Sequence, residues 1–220
     1  MSDGLTACRA CPRLVEWRER VAIERRPAFR QQEYWGRPVP DFGDPQGRLL
    51  IVGLAPAAHG ANRTGRMFTG DRSGQFLYAS LHRTGFANRP DSAAAGDGLE
   101  LQGCLITAVV HCAPPANQPS REELESCTRW LQPALTRPTI KVILCLGGIA
   151  FAQVTKVARR LGWTLPGPAS RFGHGVETEF VGGPVLLGSY HPSQQNTFTG
   201  RLTPEMMDTV LLRARARLVG

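Results

Sequence analysis

The sequence predicts an α/β fold in which a parallel sheet is covered by helices on both faces. Four short apolar runs, each bounded by Gly, Pro or polar residues, are typical of buried strands. Segments with helical periodicity separate these runs, and this alternation favours a parallel sheet. A chain of 220 residues with 42% hydrophobic residues can bury one such core. We therefore expect residues 1–220 to form a single domain.

The elements are predicted in the order that an alternating fold requires. Leu14, Trp17 and Val21 lie at helical spacing, so residues 12–24 are predicted to form the first helix, followed by an ordered loop at 27–47. The strands are predicted at 48–54, 104–110, 141–147 and 184–190. Further helices are predicted at 73–85, from 120 to about 132, at 148–161 and from 204 towards the C-terminus.

Capping signals mark the starts of three of these helices. Ser73 is predicted to cap the helix at 73–85, and Ser120 with Glu123 matches the capping-box pattern. Thr203 followed by Pro204 predicts the start of the final helix, because Pro is favoured at the first helical position.

Three of the four predicted strands end in loops rich in Gly, Pro, Asn, His and Asp. These loops span 53–72, 111–119 and 190–203. Ligands of parallel α/β sheets bind beyond the carboxyl ends of the strands. We therefore expect the three loops to line one cleft.

The charge balance points to a polyanionic partner. Lys and Arg number 26 against 18 Asp and Glu, which gives a net charge of +8. Almost all of these cations are arginines, since the only lysines are Lys141 and Lys156, and arginine can bind phosphate bidentately. DNA or RNA is the expected partner, although a compositional bias of the source genome would give the same balance.

The sequence is not expected to be that of a membrane protein or a secreted one. No apolar run approaches the ~18 residues that span a bilayer, and the first residues, MSDGLTACRACPRL, do not have the pattern of a secretory signal. We expect a cytoplasmic monomer. In that reducing compartment the six cysteines are not expected to form disulfides.

Four of the six cysteines are candidate metal ligands. Cys8 and Cys11 form a C-x2-C pair, and Cys112 and Cys127 lie far along the chain. A zinc ribbon would need a second C-x2-C pair, whereas a [4Fe-4S] cluster tolerates dispersed thiolates. The residues alone favour the cluster but leave zinc and unliganded cysteines open. The remaining two, Cys104 and Cys145, fall inside apolar strands and are predicted to be core residues.

The segment GLAPAAHG at 53–60 could bind an anion, because small residues let backbone N–H groups approach a ligand. It matches neither the dinucleotide-binding pattern nor the P-loop, so nucleotide binding is disfavoured. A tight turn after the strand is the structural alternative.

Three segments together resemble the uracil-DNA glycosylase superfamily. GLAP at 53–56 with NRTGRMFTGD at 62–71 is similar to its first motif, and HPSQQN at 191–196 is similar to its second. CAPPAN at 112–117 resembles a segment of its iron–sulfur branches, and the overall match is to family 5, the type B enzymes. The resemblance extends from Cys8 to the last helix.

The resemblance implies a fold, a cofactor and an activity. The fold would be a three-layer α/β/α sandwich with a central four-stranded parallel sheet. A [4Fe-4S] cluster would be bound by Cys8, Cys11, Cys112 and Cys127, which makes the N-terminal segment an iron–sulfur-binding one. The activity would be the hydrolysis of the bond between deoxyribose and uracil, or another deaminated base such as hypoxanthine, after the base has been flipped out of DNA.

The resemblance also implies two catalytic residues. Asp71 matches the catalytic aspartate of family 5, since Ala57 and Ala58 stand where most members of the superfamily carry the polar residue that handles water. His191 would donate a hydrogen bond to uracil O2 as negative charge develops there. The structural alternatives are a helix N-cap for Asp71 and a strand-end packing role for His191.

Five further residues are candidates for binding the base. Gly53, Leu54 and Ala55 would contribute backbone groups, and Phe68 would stack on the flipped base. Asn117 could meet a polar base edge. The alternatives are loop packing for Phe68 and a turn position for Asn117.

Gln195, Asn196 and Arg201 are candidates for contacting DNA phosphates or for filling the gap that the flipped base leaves.

One position departs from the pattern of other uracil glycosylases, because Ala108 stands where they carry an asparagine that reads the uracil edge. Alanine cannot make that hydrogen bond, so a wider pocket is expected. A non-catalytic iron–sulfur protein that binds nucleic acid is the competing interpretation of the whole chain.

Overall fold

Six strands form one sheet in the part of the chain that a computed structural model describes, residues 2–164 and 171–219. The strands are β1 (Phe42–Gly43), β2 (Leu49–Gly53), β3 (Cys104–Ala108), β4 (Val142–Leu146), β5 (Glu177–Glu179) and β6 (Val185–Ser189). Their spatial order is β1-β3-β2-β4-β6-β5. The four central strands, β3, β2, β4 and β6, are parallel and coincide with the four predicted strands.

The sheet differs from the expected four-stranded parallel one at its two edges. β1 pairs with β3 and β5 pairs with β6, both in the antiparallel direction, so the complete sheet is mixed. The edge strands contain two and three residues, which are not fully buried. Such short segments carry no apolar run, and for this reason the sequence pattern did not show them.

Helices cover both faces of the sheet. They are α1 (Ser2–Thr6), α2 (Pro12–Glu24), α3 (Ala61–Thr64), α4 (Arg72–Arg83), α5 (Arg121–Leu135), α6 (Gly148–Arg160), α7 (Gln194–Phe198) and α8 (Pro204–Val219). α3 and α7 lie within segments that were predicted as loops, because four or five residues are too few to establish helical periodicity. No helix among the described residues is both long and apolar enough to cross a bilayer.

The core consists of two apolar layers on opposite faces of the sheet. Along β2, Leu49 and Ile51 point into the layer formed with α4 and α8, whereas Leu50 and Val52 point into the layer formed with α2, α5 and α6. This alternation follows from the two-residue period of a strand. The molecule is therefore a three-layer α/β/α sandwich, as expected.

Helix capping agrees with the sequence at two of the three predicted positions. Ser120 and Glu123 form the complete capping box of α5, and Thr203 Oγ1 accepts a hydrogen bond from the Met206 backbone at the start of α8. The prediction that Ser73 caps α4 is wrong. The helix begins at Arg72 and its N-cap is Asp71, which also carries the catalytic assignment.

Candidate functional site

A cavity of about 450 Å³ lies beyond the carboxyl ends of β2, β3 and β6. We call it the strand-end cavity, and residues from all three predicted loops line it. Its volume falls within the range of small-molecule binding sites. Eight of the ten residues assigned to catalysis, base binding or DNA line this cavity: Gly53, Leu54, Ala55, Phe68, Asp71, Asn117, His191 and Gln195. Ala108 lines it as well.

Asp71 holds its carboxylate at the wall of the cavity through the start of α4. Its Oδ1 accepts a hydrogen bond of 2.9 Å from the Gly74 backbone N–H, which is the N-cap interaction of the helix. Burial raises the pKa of the Asp71 carboxyl, and hydrogen bonds from the backbone of Gly74 and Ser73 oppose that shift. The cap fixes the direction of the carboxylate at the wall of the cavity.

Two residues around Asp71 were not predicted from the sequence. Gly60 lies against the carboxylate, and a Cβ atom at position 60 would collide with Asp71 Oδ2. Arg63 is buried, and its positive charge favours the ionised form of Asp71. The Arg63 side chain donates to the backbone carbonyls of His59 and Gly70, each at 2.8 Å. In the sequence, the only sign of this close packing around Asp71 is the glycine and arginine content of residues 59–70.

Phe68 adopts a positive φ of 53°, which is unusual for a non-glycine residue. A Cβ atom at Gly53 would lie 2.9 Å from Phe68 Cε2, so glycine at position 53 is what allows the ring to lie over the end of β2. The preceding residue, Met67, accepts a hydrogen bond of 2.7 Å from the buried Tyr78 hydroxyl through its backbone carbonyl. These contacts hold one face of the cavity in place.

A buried ion pair fixes the same loop from its other side. Arg66 is buried and donates to both carboxylate oxygens of Asp97, at 2.9 and 2.7 Å. The Arg66 guanidinium holds the pKa of Asp97 well below its usual range. The remaining Arg66 nitrogen donates to Thr69 Oγ1 at 2.8 Å, so the guanidinium is bonded on every side to the loop or to its neighbours. The loop that carries Phe68 and Asp71 is therefore rigidly supported.

His191 follows β6 by two residues and faces Phe68 across the cavity. The two ring centroids lie 6.0 Å apart at an angle of 33°. Burial lowers the pKa of His191 to about 4, so the imidazole is neutral near pH 7. A neutral imidazole carries one N–H that can donate to an acceptor in the cavity.

Two predicted DNA contacts do not line the cavity. Asn196 instead donates from Nδ2 to the His191 backbone carbonyl at 2.8 Å, which stabilises the turn that presents the imidazole. Arg201 is exposed, and its guanidinium lies over the Tyr190 ring at 4.6 Å. Gln195 lines the cavity at its exposed rim, together with Arg72, which the sequence analysis did not single out.

Asn117 lies in a strained turn at the rim. It and Ala116 have φ values of 57° and 51°, so the turn role considered from the sequence is present. Its side chain nevertheless borders the cavity. Ala108, at the end of β3, adds only a methyl group to the cavity wall.

The four candidate metal-binding cysteines line a second cavity. Cys8, Cys11, Cys112 and Cys127 all contribute to its wall, together with Leu14 and Trp130 among others, and we call it the cysteine cavity. The cysteines are free of disulfides. No three His, Cys, Asp or Glu side chains of the described residues are arranged to hold a single metal ion. Cys104 and Cys145 are completely buried in the two core layers, as predicted.

Two buried donors border this cysteine set. Arg18 Nη1 donates to Cys112 Sγ at 2.9 Å, and Arg18 Nη2 donates to the Cys8 backbone carbonyl at 3.2 Å. Trp130 Nε1 is buried and has no hydrogen-bond partner among the described protein atoms. Burial raises the pKa of the Cys127 thiol to about 12. Thiolates at these positions therefore need a cation or a metal to stabilise them.

Comparison with known proteins places this architecture in a family. The model of the uracil DNA glycosylase superfamily matches residues 40–215. The chain is 56% identical to the "Type-5 uracil-DNA glycosylase" of Mycobacterium bovis, over 96% of this chain and 78% of the relative. It is 52% identical to the protein of the same name from Thermus thermophilus, over 98% of this chain and 95% of the relative.

A more distant relative agrees along almost the whole chain. The "Type-5 uracil-DNA glycosylase" of Pyrobaculum aerophilum is 45% identical over 97% of this chain and 90% of its own length. The region matched by the family model, residues 40–215, contains all the residues that line the strand-end cavity. On the combined basis of the sandwich fold, the cavity at the strand ends and these similarities, the chain belongs to the uracil-DNA glycosylase superfamily.

Proposed function

We propose that this protein removes uracil from DNA by hydrolysing its N-glycosidic bond, which leaves an abasic site. The observation that carries the proposal is that one cavity brings together a fixed carboxylate, Asp71, a neutral imidazole, His191, and an aromatic face, Phe68. The type-5 relatives are named for the same activity. The cavity is large enough for a single base that has been flipped out of the duplex.

The three side chains divide the chemistry between them. As the bond from C1′ of the sugar to N1 of uracil breaks, its electron pair stays on uracil, and the sugar becomes cationic. His191 donates to uracil O2, and the Asp71 carboxylate faces the cationic sugar. A water molecule attacks C1′ and transfers its proton to Asp71, whose raised pKa suits it to accept one. Phe68 holds the base in position during these steps.

The exposed rim supplies contacts for the DNA strand. Arg72 and Gln195 lie at the mouth of the cavity, where a cation and an amide can meet phosphates. Arg201 is exposed three residues after the end of α7, the helix that carries Gln195. With the net charge of +8, these groups support binding that weakens as salt rises.

We further propose that the base range extends beyond uracil, to hypoxanthine among other deaminated bases. Ala108 is the residue that supports this extension. It is 2% exposed and lines the cavity, yet it has no polar atom in its side chain to reject a base with a different edge.

The proposed reaction stops at the abasic site. Cleavage of the strand by a lyase reaction needs an amine that forms a Schiff base with the sugar. Neither lysine of the chain lines the strand-end cavity, and Lys156 is paired with Glu125 at 2.7 Å on the surface. Borohydride is therefore expected to trap no covalent adduct with DNA.

The cysteine cavity is proposed to hold a [4Fe-4S] cluster through Cys8, Cys11, Cys112 and Cys127. Each iron of such a cluster takes one thiolate, so its four ligands stand farther apart than the ligands of one ion. The indole N–H of Trp130 is buried beside the thiols and has no hydrogen-bond partner within the described part of the chain, so it can donate to a sulfur of the cluster. When bound, the cluster would join the N-terminal segment to the β3–α5 connection and to α5.

The glycosylase proposal is tested with an oligonucleotide that contains one uracil opposite guanine. The expected result is free uracil and a strand that breaks only after alkali treatment. A matched oligonucleotide with an undamaged thymine–adenine pair at that position is the control and should release no base. Binding to both oligonucleotides without release of uracil would support the competing interpretation, a non-catalytic nucleic-acid-binding protein.

A further inference from the structure

Arg18, on the buried side of α2, carries a positive charge into the protein interior. Its side chain is 2% exposed, and two of its guanidinium nitrogens bond to Cys112 Sγ and to the Cys8 carbonyl. Its Nε is buried and has no hydrogen-bond partner among the described protein atoms. Because a guanidinium keeps its charge inside proteins, this burial is unfavourable unless negative charge lies beside it.

Among the described residues, no carboxylate oxygen lies within hydrogen-bond distance of the Arg18 guanidinium. The nearest acid is Glu19, whose Oε1 lies 3.8 Å from Arg18 Nη2 and whose side chain is 40% exposed. Glu19 is also bound by both terminal nitrogens of Arg9. The cavity that Arg18 shares with Glu19 is lined in addition by Arg9 and Arg37, so positive charge exceeds negative charge there.

The cysteine side of Arg18 is the remaining place for a compensating anion. A protonated thiol at Cys112 is neutral, so it would place no negative charge against the guanidinium 2.9 Å away. A metal-bound Cys112 thiolate would give Arg18 a charge partner at hydrogen-bond distance, and a cluster ligated by four thiolates carries net negative charge.

We propose that Arg18 is the buried counter-charge of the metal centre, bonded directly to the Cys112 ligand. This inference rests on the proposed cluster. A positive charge and a hydrogen bond at a ligand sulfur both favour the reduced cluster and strengthen its retention. Arg18 is thus a positioning and tuning residue, separate from the residues that contact the base.

The test compares Arg18→Met with Arg20→Met in the iron-loaded protein. Arg20 lies on the same helix, but it is exposed, with its guanidinium over the Trp17 ring at 5.0 Å. The measurements are the midpoint potential of the cluster by voltammetry and the rate at which its visible absorbance decays in the presence of a chelator. Arg18→Met should shift the potential to more negative values and speed decay about ten-fold, the effect expected for one hydrogen bond to a charged group. Arg20→Met should match the wild type.

Two more variants separate charge from packing. Arg18→Lys keeps the charge and should retain most of the wild-type potential. The neutral Arg18→Gln should show the same shift in potential and the same faster decay as Arg18→Met, and it takes the place of the methionine variant if that variant does not fold. Wild-type potential and decay rate in the neutral variants would overturn the inference. A wild-type protein that takes up no iron would overturn it too, and in that case the uracil-release assay still decides the proposed activity independently.

Discussion

The strand-end cavity and the cysteine cavity are built in opposite ways, although the connection between β3 and α5 contributes to both. In the strand-end cavity, protein hydrogen bonds hold the two catalytic candidates in place: Asp71 caps α4, and Asn196 binds the backbone carbonyl of His191. In the cysteine cavity, Trp130 Nε1 has no hydrogen-bond partner among the residues that the structure describes. The difference indicates that the first site is organised by the chain alone, whereas the second is of the kind that a non-protein group completes.

Helix α2 links the two sites. The Arg18 side chain meets Cys112, while its backbone carbonyl accepts a hydrogen bond of 3.3 Å from Asn62 Nδ2. Asn62 is completely buried and belongs to α3, which leads into the loop that carries Phe68 and Asp71. Changes in each site should nevertheless give different signatures, in excision rate for one and in iron content for the other.

The largest expected effect belongs to Asp71→Asn. The asparagine oxygen can still accept from Gly74, so the cap of α4 and the stability of the fold should change little. The negative charge that faces the cationic sugar is lost, and we expect the single-turnover rate on uracil DNA to fall on the order of 10²-fold or more. DNA affinity should be nearly unchanged. A variant that excises uracil at the wild-type rate would show that the catalytic assignment is wrong.

His191→Ala should have the next largest effect. Removing one donor to uracil O2 is expected to slow excision by about 10²-fold, near the lower end for such groups. His82→Ala is a matched control, since His82 is exposed on α4 and does not line the cavity. Equal rates for the two variants in single-turnover assays would remove His191 from the mechanism.

The low pKa of His191, about 4, also predicts a pH dependence. The imidazole stays neutral above about pH 5, so this residue should cause no step in excision rate near pH 6.5. The unfolded chain binds a proton near its ordinary value of 6.5, but the folded chain does so only near 4. The stability that this residue contributes is therefore present above pH 6.5 and lost as pH falls towards 4. Denaturant titrations of wild type and His191→Ala between pH 4 and 7 measure the difference; parallel pH profiles would contradict it.

Ala108→Asn tests whether the apolar wall of the strand-end cavity sets the range of bases, because the substitution adds a polar side chain at a position where the wild type has only a methyl group. The amide can pair with one base edge and is left unpaired by others, so hypoxanthine excision should fall about ten-fold relative to uracil excision. Ala108→Val adds bulk without polarity and controls for crowding. If wild type already refuses hypoxanthine, the argument from the apolar wall fails.

The smallest effect is expected from the two core cysteines. Cys104→Ala and Cys145→Ala remove buried sulfurs that do not line the cysteine cavity, so iron content should equal that of the wild type. Cys8→Ala should lose iron. Iron measured per chain after anaerobic purification distinguishes the two groups, and a fall in iron for Cys104→Ala would contradict the ligand assignment.

The central fold could be predicted from the sequence because its signals are local. The four apolar runs of the sequence coincide with β2, β3, β4 and β6. The loops that follow three of these strands line one cavity, as predicted. The edge strands were missed, since two or three half-buried residues carry no periodic pattern.

The finer structure of the site depends on tertiary contacts, which composition and spacing do not encode. Asn196 stays a predicted DNA contact, and the hydrogen bond from its side chain to the His191 carbonyl is a further role that the sequence did not indicate. Only the folded loop shows that a Cβ atom at position 60 would collide with the Asp71 carboxylate. It also shows that the charge of Arg63 acts on the same carboxylate. Asp71 caps α4 and also lines the strand-end cavity. The N-cap role and the catalytic role that the sequence suggested for it are therefore compatible.

The most direct test of the proposed activity is the position of the base itself. A crystal structure of Asp71→Asn bound to an uncleaved uracil-containing oligonucleotide would locate it, because that variant should bind without turnover. We predict uracil outside the DNA stack, against the Phe68 ring, with O2 within hydrogen-bond distance of His191. Uracil that remains stacked in the DNA, or that occupies a site away from the strand-end cavity, would contradict the account.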